Sequence, residues 1–215
     1  MNHSKTKKLT TTAMLCALAY TAAAIGRIPI VLFLRYDSKD VIITIGGMIF
    51  GPLTSLAITI AVSIAQMFTI SGTGFIGCIM NIISSCCFAC TAAFIYRKKR
   101  TLSGAMLGLI CGMLCQVLVM MLWNYLIAPL YMGYSREDVA RLLLPAFLPF
   151  NLIKGGLNAA LTMLLYKPTI TALRHSNLIE PAQNPEKARI HIGVMLTALS
   201  VIVICGLMIL ALHNQ

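Results

Sequence analysis

The chain has 215 residues, of which 59% are hydrophobic and 11% charged, and its net charge is +11. Soluble domains average about 45–50% apolar and about 25% charged residues, so this composition excludes a water-soluble globular domain, a disordered chain and a disulfide scaffold. It leaves an all-α, polytopic membrane protein, whose short loops carry Lys and Arg that orient the helices rather than bind nucleic acid.

The first apolar run spans residues 9–25 and follows a polar tail with three lysines. A basic tail before an apolar run also describes a cleavable signal peptide, and 22–24 offers a small-residue cleavage site. The run is longer than most signal-peptide cores, which favours an uncleaved helix. Ala13 and Ala17 form a small-residue ridge that would let another helix approach closely, although internal packing uses the same spacing.

A lid over a cavity is predicted from the next stretch. The apolar run 41–70 is interrupted by Gly51-Pro52, and because Pro ends helices we predict a short helix over 39–51, a tight turn and a second helix over 52–70. The short helix covers about 20 Å of about 30 Å of hydrocarbon. Irregular backbone at membrane depth must be buried or line a cavity, so the mixed segment 26–40 is a candidate lid.

Four further apolar runs follow, over residues 75–96, 102–130, 144–166 and 190–212. We therefore predict a six-helix core over residues 1–168, a polar cytoplasmic linker over 169–189 and one extra transmembrane helix over 190–215. Most Lys and Arg residues then fall on the side of the N-terminal tail, which predicts a cytoplasmic N terminus and an outer C terminus.

Acid–base chemistry is not predicted inside the membrane. The predicted spans contain no Asp, Glu or His, which argues against an intramembrane protease or a proton-coupled carrier, and the sequence has no P-loop for ATP. The Cys86-Cys87-x-x-Cys90 run lies mid-span and is interpreted as packing residues. We therefore predict no catalytic site, no metal site and no cofactor, and a protein that binds a ligand or takes its energy from a partner.

Lys154 is the one charge that we place inside a span, and an intramembrane ionisable residue marks a functional site. Asn151 and Asn158 share its helix face by their spacing. With Asn124 near the outer end of the preceding span, Asn151 and Lys154 offer amides and a cation among apolar residues, which suits a flat, partly aromatic ligand with polar edges. Alternatively, Lys154 snorkels outward or pairs with a loop acid such as Asp37.

The second outer loop contains Gly72 and Thr73 between two further small residues. Glycines allow close backbone approach to a ligand, so both residues are candidate binding residues. A simple turn explains the same sequence equally well.

Several motifs together resemble the substrate-binding S components of energy-coupling factor (ECF) vitamin transporters, most closely the riboflavin-specific type. They are P-F-N-L-I-K-G at 149–155, the first-loop motif at 33–41, Gly51-Pro52, Asn124-Tyr125 and the alanine ridge. The resemblance implies a six-helix fold with an outward-facing flavin pocket closed by the first loop. It also implies that Ala13 and Ala17 face a transmembrane coupling subunit that carries two ATPases.

The resemblance places riboflavin, as transported ligand, against residues of the first loop and of three helices. Those residues are Leu34, Tyr36, Asp37, Asn81, Asn124, Asn151 and Lys154. The sequence departs from the riboflavin-type pattern at Gln66, where a basic residue is expected, and at Cys78, where an acid is expected. A flavin nucleotide, another vitamin or a modified nucleobase therefore stays open as ligand, and so does a membrane assembly protein without transport function.

Overall fold

A computed structural model describes residues 3–26, 28–31, 34–72, 74–176, 178 and 192–213 of the chain. These residues form a helical bundle with one small β-hairpin. The elements are α1 (His3–Ile25), β1 (Ile28–Val31), β2 (Leu34–Tyr36), α2 (Lys39–Phe50), α3 (Pro52–Thr69), α4 (Gly74–Lys98), α5 (Leu102–Met132), α6 (Arg136–Leu142), a π-helical turn (Leu143–Phe147), α7 (Leu148–His175) and α8 (Ile192–His213).

The fold is that of a polytopic helical membrane protein, as the sequence predicts. Within the described part of the chain, five helical stretches are long and apolar enough to cross a membrane: Lys5–Ile25, Pro52–Thr69, Gly74–Lys98, Leu102–Met132 and Arg136–Leu173. By contrast α2 has only 12 residues, which at about 1.5 Å per residue is too short to cross. This confirms the predicted short helix.

The break between α2 and α3 lies at Gly51, as predicted. Its φ is +101°, a conformation that favours glycine, and its N–H donates to Gly47 O at 2.7 Å. Pro52 then opens α3, where a missing N–H costs nothing. A Cβ added at Gly51 would lie 3.5 Å from Arg97 Nη1, so this turn lies at the same end of the bundle as the basic residues that close α4.

The segment predicted as an irregular lid contains an antiparallel β-hairpin. Ile28 pairs with Tyr36 and Val31 with Leu34, with an irregularity after Pro29. An isolated two-stranded hairpin is marginally stable, so it depends on the packing of Ile30 and Tyr36 against Phe150 and Ile153 of α7. The hairpin therefore packs against the N-terminal part of α7.

The end of one element differs from the prediction. The helix α7 continues to His175, although the sequence predicts that the core ends at 168, and Pro168 lies within it. Pro168 has no N–H to donate to the carbonyl four residues earlier, so α7 lacks one of its internal hydrogen bonds there. The interval predicted as a linker thus begins with helical residues, and the rest of it lies largely outside the described residues.

Candidate functional site

A cavity of about 160 Å³ opens between the hairpin and helices α4, α5 and α7. Its walls combine apolar side chains with a few amides and charges. The lining residues are Leu34, Arg35 and Asp37 from the hairpin and the residue after it, Ile76, Gly77, Met80, Asn81 and Ser84 from α4, Met120, Asn124 and Tyr131 from α5, and Phe150, Asn151 and Lys154 from α7.

Lys154 is held in the cavity wall by an ion pair. Its Nζ lies 3.4 Å from Oδ2 of Asp40, and both side chains are almost fully buried. Asp40 lies in the first turn of α2, whose N-terminal end favours a negative charge. A buried cation is stable only when it is paired and hydrogen-bonded, so the Asp40 carboxylate is what allows Lys154 to remain charged beside the cavity.

The Asp40 carboxylate has two further partners. Ser85 Oγ donates to its Oδ1, and Asn158 Nδ2 donates to its Oδ2 at 3.3 Å. The Asn158 Oδ1 in turn accepts from the Tyr36 hydroxyl at 2.9 Å. A chain of contacts therefore connects the hairpin, through Tyr36, to the charged pair in the cavity wall.

Tyr36 lies outside the helices, in β2. Burial, and then the nearby carboxylates of Asp40 and Asp37, raise the pKa of its hydroxyl well above the ordinary value. The hydroxyl therefore stays protonated throughout the physiological pH range, which keeps it a donor to Asn158.

A second buried charge lies next to the first. Lys39 is fully buried, its Nζ donates to Gln66 Oε1 at 2.8 Å, and it forms an ion pair of 3.6 Å with Asp37. Lys154 is therefore not the only buried lysine near the cavity. Lys39 and Asp40, which the sequence placed in an outer loop, are buried in the first turn of α2, where side chains of α3, α4 and α7 bond to them.

Most of the predicted site residues meet at the cavity. Asn81, Asn124, Asn151 and Lys154 line it from three helices, and Leu34 and Asp37 line it from the hairpin side. Asn151 Nδ2 also donates to Phe147 O at 2.8 Å, a bond to the π-helical turn that fixes the orientation of its amide.

The other predicted residues lie elsewhere. Tyr36 lies behind the cavity wall rather than in it, buried against α7 and bonded to Asn158. Gly72 is exposed in the turn before α4 and does not line the cavity, and Thr73 lies outside the described residues. Ala13 and Ala17 are exposed on α1, whereas Leu15 and Ala19 on the same helix are buried.

Sequence reasoning missed Asp40, although a signal for it existed. A single intramembrane lysine needs a counterion, and the candidates were the two acids at the start of the short helix. The alternative that Lys154 pairs with a loop acid such as Asp37 holds for the neighbouring acid, because Lys154 pairs with Asp40 and Asp37 pairs with Lys39. Asn158, which the sequence placed only on the same helix face as Lys154, connects Asp40 to Tyr36 of the hairpin.

The chain has recognisable relatives. The family described as "ECF transporter, substrate-specific component" matches residues 7–166. The chain is 28% identical to the riboflavin transporter RibU of Staphylococcus aureus (strain TCH60) over 78% of this chain and 92% of that protein. It is 27% identical to the riboflavin transporter FmnP of Bacillus subtilis (strain 168) over 81% of this chain and 99% of that protein.

The fold agrees with a solved structure described as the S component of a bacterial ECF transporter. The TM-score is 0.68 at 25% sequence identity, and the match covers 79% of this chain and 99% of the solved one. The family match covers the helical core, including every residue that lines the cavity. The chain therefore belongs to the substrate-specific components of ECF transporters.

Proposed function

We propose that the chain binds riboflavin, or a closely related flavin, outside the cell and presents it for ATP-driven import. The relatives named above, and a third from Streptococcus thermophilus (strain ATCC BAA-250 / LMG 18311) at 25% identity, are all named riboflavin transporters. The lining of the cavity supports the same ligand.

One observation carries the proposal: Asn124, Asn151 and Lys154 line a single cavity whose other walls are largely apolar. A flavin ring is flat and aromatic, with carbonyl and N–H groups along one edge. Side-chain amides supply both donors and acceptors to such an edge, and Lys154 supplies a further charged donor. Because Lys154 is already held by Asp40, little ordering remains to be done when the ligand binds.

The charge distribution supports an outward-facing cavity. The cavity residues of α4 and α7 lie near the N-terminal ends of those helices, and Arg97 and Lys98 lie at the opposite end of α4. The three lysines at the start of α1 lie at that same far end, because α1 leads directly into the hairpin. Positive residues favour the cytoplasmic side, which supports a cytoplasmic N terminus and an outer cavity.

The energy for import would come from partners. The sequence has no P-loop, so we propose that the chain acts with a transmembrane coupling subunit and two ATPase subunits. The exposed ridge of Ala13 and Ala17 supports a contact with the coupling subunit, because small residues let a partner helix approach closely. We also propose that the extra helix over 190–215 crosses the membrane and places the C terminus outside.

The test is a binding experiment on the purified full chain in mild detergent. We expect co-purified flavin absorbance, or saturable quenching of riboflavin fluorescence and Trp123 emission at about one ligand per chain. The variant Asp40→Asn/Lys154→Met removes the buried pair together and is expected to abolish binding, whereas Lys99→Met at the opposite end of α4 is the control. A well-folded protein that ignores riboflavin in this assay would refute the proposal and direct attention to other vitamins and modified nucleobases.

A further inference from the structure

The helix α8 lies outside the part of the chain that the family shares. The family match ends at residue 166, and α8 spans Ile192–His213. The binding function proposed above makes no use of it, yet its position relative to the cavity is well defined by contacts with α7 and with the hairpin.

The first contact is with α7, two residues after Lys154. Gly156 has no side chain, and a Cβ added there would lie 3.2 Å from Cys205 Sγ and 3.7 Å from Val201 Cγ1 of α8. Cys205 Sγ also lies 4.0 Å from Ile153 O. The two helices thus approach closely at Gly156, on the segment of α7 that carries the cavity residues.

The second contact is with the hairpin. Cys205 is buried in one apolar cluster with Ile30 of β1, Tyr36 of β2 and Ile153 of α7, and Ile209 packs against the same cluster. The hairpin therefore rests on α8 as well as on α7. Because a two-stranded hairpin has little stability of its own, this packing contributes to its position.

We propose that α8 is a positioning element for the ligand site, which holds the hairpin closed over the cavity through Cys205 and Ile209. The inference rests on the proposed binding function. The hairpin side supplies Leu34, Arg35 and Asp37 to the cavity wall, so a bound ligand leaves when the hairpin moves away. Moving it separates Ile30 and Tyr36 from α8, and that lost packing slows release.

The main experiment measures how fast bound riboflavin leaves the full-length protein. In Cys205→Trp the larger side chain overpacks the contact with the hairpin, and we expect dissociation to be at least about tenfold faster with a smaller change in association. The smaller change Cys205→Ala, which removes only the sulfur from the cluster, should speed release less than Cys205→Trp does. The control Val203→Trp places the same ring on α8 where the side chain is exposed, and its release rate should equal that of wild type.

If Cys205→Trp fails to fold, Ile209→Ala takes its place, because it only removes a half-buried side chain from the same cluster. A wild-type release rate in whichever of these two variants folds would overturn the inference and leave the proposed function intact. Absence of riboflavin binding in the unchanged protein would instead refute the proposed function, together with the inference that depends on it.

A crosslink tests the position of α8 without any ligand. In Gly156→Cys the new thiol would lie within disulfide reach of Cys205, and copper–phenanthroline with oxygen supplies the oxidant. With a protease site inserted between residues 180 and 190, cleaved fragments should stay joined on a non-reducing gel and separate after reduction. Gly156→Cys/Cys205→Ala is the control that cannot link. Fragments that separate without reduction would overturn the inference.

Discussion

The Asp40 carboxylate and the Lys154 ammonium, from the first turn of α2 and from α7, lie 3.4 Å apart with almost no exposure. Their pairing joins the short helix α2 to α7, which contributes Asn151 and Lys154 to the cavity wall. Since Ser85 and Asn158 also donate to Asp40, the carboxylate is the point at which α2, α4 and α7 meet.

Asp40→Asn should therefore destabilise the fold strongly. It leaves Lys154 buried without a counterion, a change that typically costs about 3–5 kcal/mol. Thermal unfolding in detergent measures the loss. Glu137→Gln, an exposed acid on α6, is the control and should change stability by less than about 0.5 kcal/mol.

The same assay distinguishes pairing from mere loss of a charge. In Asp40→Asn/Lys154→Met neither partner remains as an unpaired ion, so most of the lost stability should return. If the double variant is as unstable as Asp40→Asn alone, the ion pair is not the source of the effect.

The local parts of this fold could be predicted from sequence because each depends on near neighbours in the chain. Gly51-Pro52 ends one helix and starts the next through backbone geometry alone, and the spacing of Asn151 and Lys154 fixes their shared face. Both features are found in the structure.

The tertiary parts could not be predicted in the same way. Asp37 and Asp40 lie three residues apart, and which of them meets Lys154 depends on where α2 begins relative to α7. The low hydropathy of Lys39 and Asp40 predicted that the start of α2 lies in a loop outside the membrane, because adjacent charged residues are typical of loops. Buried charges satisfied by partners from distant helices override that local signal.

Asn124→Leu tests the binding role of an amide that lies outside the ion-pair network. Asn124 lines the cavity on α5 and is buried, so its loss should weaken riboflavin binding by about 1–3 kcal/mol, or roughly 5- to 150-fold in Kd. Isothermal titration of the purified protein measures this. An unchanged Kd with an intact fold would exclude Asn124 from the ligand contacts.

Gln66→Arg should be poorly tolerated even though the riboflavin-type pattern carries a basic residue there. Lys39 already places a positive charge against the Gln66 carbonyl, with Nζ 2.8 Å from Oε1. A second buried cation would repel it and lose its acceptor, at a cost of about 3 kcal/mol or more.

A charge exchange provides the control for this prediction. Lys39→Gln/Gln66→Arg keeps one cation near Asp37 and should recover much of the stability that Gln66→Arg loses in thermal unfolding. Equal stability of wild type and Gln66→Arg would contradict the prediction that a second cation next to Lys39 destabilises the fold.

Gly112→Ala tests the close pairing of α4 and α5. A Cβ at Gly112 would lie 2.6 Å from Phe88 O, and Gly108 faces Ala92 O in the same way one turn earlier. Because backbone atoms cannot move aside as a side chain can, α5 must shift away from α4, at a cost of about 1–3 kcal/mol. The shift also moves Met120 and Asn124, further along α5, relative to the cavity, so thermal stability and riboflavin affinity should fall together.

Gly206→Ala on α8 is the matched control: nothing lies within 4 Å of its added Cβ, and a helical alanine in open space should be neutral or stabilise by up to about 1 kcal/mol. Equal melting temperatures for Gly112→Ala and Gly206→Ala would mean that α4 and α5 are not packed backbone to backbone.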